Sequence, residues 1–179
     1  MKIACIGWGS LIWNPQILKI KGKWFEDGPL LPIEFARQSG NGRITLVIEE
    51  TTEPIRTLWI LMSTNNLDEA IESLRKREGT ATRHIHYQKL DSKPKTKIQE
   101  IVLQWLKEKN IDCAIWTGLP PKFKEKDNKV PSINELFAYF DTVNHEVFKS
   151  SAEYVMNTPK QVDTKYRRKL ERKYNWKKE

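Results

Sequence analysis

One carboxylate stands where a helix should be apolar. In "NNLDEAIESLRKREG", Leu67, Ala70, Ile71 and Leu74 follow the i, i+3, i+4, i+7 spacing of a single helix face. Continued eleven residues from Leu67, the stripe reaches Glu78. A carboxylate turned toward a core is costly unless something compensates it. The last turn of a helix also disfavours negative charge. Both effects favour the protonated form and suit the group to proton transfer near neutrality. The competing reading is a structural ion pair with Arg75, Arg77, Arg83 or His84, all close in sequence.

A second unusual stretch is "IACIGWGSLIW", Ile3 to Trp13. Gly7, Gly9 and Ser10 interrupt a run that would otherwise continue as a buried strand, where glycine loses stability. Ser10 reads as a loop hydrogen bonder, since no motif supplies a histidine and an acid for a nucleophilic triad. His84 and His86, in "HIH", share one face of an expected strand and could seed a zinc site. No third ligand with matching spacing follows, so no metal is expected. Cys5 and Cys113 lie in apolar runs without CxxC spacing and read as reduced core residues, with a disulfide between them as the lesser alternative. Trp8, Trp13 and Trp116 stand near loops and read either as pocket walls or as core packing.

The elements that must position these groups alternate irregularly. Strands are expected over Lys2–Gly7, Ile33–Ala36, Ile44–Ile48, Arg56–Met62, Arg83–Leu90 and Ile111–Trp116. The second and third are close enough for a hairpin through "RQSGNGR". Asn66 and Glu69 have capping-box spacing before the first helix, and Gly79 suits its C-terminal end. A second amphipathic helix spans Lys97–Lys109. A third begins at the Ser132–Glu135 box and carries Leu136, Phe140, Val143 and Val147 on one face. A fourth, basic helix runs through "TKYRRKLERKYNW". "PPKFKEKDNKVP" reads as a solvated, mobile loop, a candidate lid. The fold class expected is α+β: a mixed small β-barrel or sheet flanked by helices, with a basic C-terminal helix.

The 179 residues suit one domain, 1–158, with a basic helical extension over 159–179. The net charge is +8, and the segment from Pro159 holds nine basic and three acidic residues of it. Any nucleic-acid binding would therefore rest on that tail. No stretch has the length of a membrane span or the long apolar core of a signal peptide, so a cytoplasmic protein is the expectation.

The order of "GWGSLIW" after a first strand, "SGNGRITLVI" in a hairpin and "REG" closing the first helix resembles the gamma-glutamylcyclotransferase-like superfamily, including its ChaC-like branch. The resemblance covers about the first 90 residues. The family's loop tyrosine is Trp8 here, and "GTATRHIHY" stands where ChaC-like members have two glycines and a tyrosine after the glutamate. The resemblance implies a gamma-glutamylcyclotransferase-like fold and a metal- and cofactor-independent enzyme that releases 5-oxoproline from a gamma-glutamyl small molecule. It implies Glu78 as general acid and base. It also implies a loop of Trp8, Gly9, Ser10 and Leu11 whose N–H groups cradle the substrate carboxylate. Arg43 reads either as a pocket cation for that carboxylate or as a strand-end surface charge. Two rivals stand beside this: a non-catalytic binder of the same fold, and a nucleic-acid-associated module using the tail.

Overall fold

The computed structural model describes residues 1–177, so Lys178 and Glu179 at the end of the basic segment lie outside the described residues. Among the described residues, ten strands and five α-helices follow along the chain. They are β1 Ile3–Gly7, β2 Ile20–Phe25, β3 Leu30–Gln38, β4 Ile44–Ile48, β5 Pro54–Arg56, β6 Leu58–Met62, α1 Leu67–Glu78 and β7 Ile85–Lys89. Then come α2 Lys97–Lys109, β8 Cys113–Thr117, β9 Lys122–Phe123, β10 Lys126–Asp127, α3 Ile133–Phe140, α4 His145–Asn157 and α5 Lys165–Tyr174. The chain forms two compact units that interleave in sequence: Met1–Leu31 with Arg56–Leu119, and Pro32–Ile55 with Pro120–Glu179.

The first unit is built on a five-stranded mixed sheet of order β2-β6-β1-β8-β7, with only the β1–β8 pair parallel. Alternate residues of the central strands, Ile3, Cys5, Ile60, Met62, Cys113 and Ile115, pack with Ala70 and Leu74 of α1. Their neighbours point to the other face, where Trp105 of α2 meets Trp59 edge-on at 5.4 Å.

α1 is set by its ends. The Asn66 side chain accepts from the Glu69 N–H at 3.1 Å, and Gly79 closes the helix at φ 60°, ψ 36°. The reciprocal half of the expected capping box is not made in the usual way. The Glu69 carboxylate instead accepts the Thr64 hydroxyl at 2.8 Å, and Thr64 in turn accepts the Asn66 N–H at 3.1 Å.

The second unit holds a sheet of order β10-β9-β3-β4, with β5 also paired to β3; β3 and β9 run parallel, and the β9–β10 and β3–β4 pairs antiparallel. Its α5 is anchored by a buried carboxylate. Glu34 accepts from the Thr164 hydroxyl at 2.5 Å and from the Tyr166 N–H at 3.1 Å. Phe140, Phe148, Tyr174 and Trp176 form one aromatic cluster beneath it.

Several expectations need correction. The architecture is α+β with two mixed sheets and no closed barrel; β2 and β7 end the first sheet without meeting. The run Arg56–Met62 is not one strand. Thr57 donates N–H and Oγ1 to the Pro29 carbonyl and accepts the Gly28 N–H, which breaks the ladder between β5 and β6. The single helix expected after Ser132 is two, because the Asn144 side chain accepts the Val147 N–H at 2.9 Å and starts α4 afresh.

"PPKFKEKDNKVP" contains the hairpin β9–β10, turned by Lys124 and Glu125 at φ 49° and 60°. His84 lies in a short 3₁₀ turn, Thr82–His84, and not on the strand with His86. The cysteines are both free. No helix among the described residues is long and apolar enough to cross a membrane.

Candidate functional site

In a parallel pair the carboxyl ends of the strands lie together, and here β1 and β8 end in Gly7 and Thr117. The chain leaves β1 through Trp8–Asn14, a double turn in which Ile12 N–H donates to Gly9 O at 3.0 Å and Asn14 N–H to Ser10 O at 2.9 Å. Trp8, Gly9 and Leu11 are buried and Ser10 half-buried. The backbone N–H groups of Gly9, Ser10 and Leu11 donate to no acceptor among the described residues. Free N–H groups on successive residues favour an anion.

Glu78, the last residue of α1, meets this loop through its neighbour. The Arg77 guanidinium donates to Glu78 Oε1 at 2.7 Å, to Ser10 Oγ at 3.1 Å and to the Asn14 carbonyl at 2.7 Å. The two side chains are only 9% and 17% exposed. Consecutive helical residues do not normally face each other. The pairing therefore requires Arg77 to fold back around the helix end, where the loop oxygens hold it.

Glu78 is also felt inside the sheet. Burial, then the Glu78 carboxylate, push the Cys5 thiol well above its ordinary range, with Arg77 offsetting part of the effect. Glu78 is thus near enough to β1 for its charge to reach Cys5.

Two further donors end at this edge of the sheet without partners: the buried Arg77 Nε and Thr117 Oγ1. Thr117 follows Cys113 and Ile115 on the face that packs against α1. A buried donor left unmade costs about 1–3 kcal/mol. The ion pair with Arg77 that the sequence offered as the competing reading of Glu78 is made; sequence reasoning missed the reach of Arg77 to the loop, and Thr117 altogether. The first was legible only as a basic residue beside an acid, and nothing in the β8 sequence marks the second.

Arg43 belongs to the second unit, where its guanidinium lies 4.9 Å over the Tyr154 ring. Trp116 is fully buried and meets His86 edge-on at 6.2 Å, so it is a core residue. No group of three histidine, cysteine or acidic side chains suited to a metal occurs among the described residues. The basic helix α5 is docked in its unit: Leu170 and Trp176 are buried, while Arg167, Arg168 and Lys173 pair with Glu171, Asp163 and Asp141. A recess of about 490 Å³ at the far end of β1, lined by Lys2, Lys19, Lys21 and Glu69, holds none of the site groups.

Comparison with known proteins returns no match: no family model, no curated protein and no solved structure.

Proposed function

We infer that the first unit carries a cyclotransferase site acting on a gamma-glutamyl compound. The observation that supports this most is the Arg77 bridge, which brings a half-desolvated carboxylate to a glycine-containing loop with free amides. In this reading the amides of Gly9, Ser10 and Leu11 hold the substrate α-carboxylate, and Trp8 and Leu11 supply apolar surface beside it. The substrate's α-amine then attacks its own side-chain carbonyl carbon. A C–N bond closes the five-membered lactam, and the amide C–N bond to the leaving group breaks. Glu78 takes the proton lost by the attacking amine and returns one to the leaving nitrogen.

Such proton transfer contributes about 10²–10⁴-fold. Holding amine and carbonyl at about 3–3.5 Å contributes further, because the reaction is intramolecular. The reaction is redox-neutral and needs no added nucleophile. The test is a panel of gamma-glutamyl dipeptides and gamma-glutamylamines, with 5-oxoproline measured directly. Release from at least one, lowered about 10²–10⁴-fold by Glu78→Gln, is expected. No release from any, or full activity in Glu78→Gln, would overturn the reading.

A further inference from the structure

Glu78 could have faced the loop alone, yet a buried cation stands between them. We propose that Arg77 is the positioning residue of this site, tying the loop after β1 to the Glu78 carboxylate so that clamp and carboxylate form one rigid unit. The proposal rests on the cyclotransferase reading for its chemistry, but its geometry is independent of it.

An arginine in the last turn of a helix can turn to solvent or to the open carbonyls of that turn. Arg75, two residues earlier, illustrates the alternative: it pairs with Glu72 and reaches the Thr80 carbonyl. Arg77 takes neither course. It spends two nitrogens on three acceptors drawn from two elements, and its third nitrogen, Nε, is buried with no partner. A planar guanidinium can hold such a fork, and a lysine ammonium is a point charge that cannot hold it in the same way.

The elements around Glu78 carry other titratable or charged side chains as well. Cys5 and Cys113 of the sheet are neutral, Arg75 is engaged by Glu72, Arg83 is exposed and His84 sits half-buried in the 3₁₀ turn. Removing the Arg77 charge removes a cation bonded to Glu78. It also removes the only side-chain link between Ser10 and α1 among the described residues.

The experiment is a carboxyl-carbon NMR titration of Glu78 in the full-length protein, assigned by loss of its signal in Glu78→Gln, combined with amide hydrogen exchange of Ile12 and Asn14, the loop amides that are hydrogen-bonded. In Arg77→Gln the Glu78 midpoint is expected to rise by about one to three pH units, as for loss of an adjacent opposite charge. Exchange in the loop is expected to accelerate at least about tenfold, because the loop loses its tether. Arg77→Lys is expected to restore most of the midpoint but not the exchange protection, which separates charge from fork geometry. It also keeps the test decisive if the glutamine variant does not fold.

An unmoved midpoint with unmoved exchange in Arg77→Gln would overturn the proposal, as would full restoration of both by lysine. If both move while no gamma-glutamyl compound is turned over, the positioning role stands and the cyclotransferase reading alone fails. Where turnover is found, the acidic limb of its kcat/KM profile is expected to move upward with the NMR midpoint.

Discussion

A methyl group on Gly7 would lie 2.9 Å from Cη2 of Trp24, so glycine at that position makes room for an indole and not for a ligand. The first glycine of "IGWGS" therefore serves packing within the first unit, while the carbonyl of the second accepts the Ile12 N–H in the loop. Gly7→Ala is expected to cost about 1–3 kcal/mol as overpacking. Denaturant midpoints would show it, with part of the loss recovered when Trp24 is replaced by leucine in the same chain. The cysteines give a second check at this scale. Burial raises both thiols, Cys113 to about 12 and Cys5 further still with help from Glu78. The thiolate is the reactive form, so an aromatic disulfide reagent is expected to titrate no thiol in the native protein at pH 8 and two after unfolding. Prompt reaction of one in the native state would mean that the β1 end is open.

Helix ends carried most of what could be read from sequence at the scale of elements. Asn66 and Gly79 bracket α1, and the Ser132–Glu135 box opens α3 with both hydrogen bonds made. The Glu135 carboxyl is drawn down to about 2, chiefly by the Ser132 N–H and then by Lys129. A carboxyl lowered by folding contributes stability that is present above its unfolded pKa of about 4.5 and lost as pH falls toward about 2. Glu135→Gln is accordingly expected to lower the melting temperature at pH 7 and to make no difference near pH 2. An equal loss at both would contradict the box as an ionic contact.

What escaped sequence reading were the breaks. Thr57 and Asn144 each sit inside an apolar run of the right period, and what ends the run there is a hydrogen bond to a partner. For Thr57 that partner lies 28 residues away in sequence. Periodicity reports the face an element buries, not where a distant partner interrupts it.

For the whole molecule, each compact unit is assembled from two segments of the chain, and the expected extension from residue 159 falls within the second. The segment from Pro159 gives the second unit Leu170 and Trp176, both buried. Burying two such side chains stabilises by about 3–6 kcal/mol. Deleting residues 159–179 is thus expected to expose the Phe140–Phe148 cluster, with dye binding and a broadened or lost thermal transition. An undisturbed transition would show the helix to be a detachable arm, as the nucleic-acid alternative requires. The candidate site was half legible: the stripe led to Glu78 and the glycines to the loop, but the bridge between them depends on Arg77 folding back, which no spacing encodes.

The most direct measurement is an NMR titration with a gamma-glutamylamine analogue whose α-amine is replaced by hydrogen, so that it keeps the α-carboxylate and the amide but has no nucleophile with which to cyclise. The account expects saturable shifts at the amides of Gly9, Ser10 and Leu11 together with the Glu78 carboxyl carbon, all with one dissociation constant. Binding that moves other residues and leaves these four unmoved, or no binding at millimolar analogue, would contradict it.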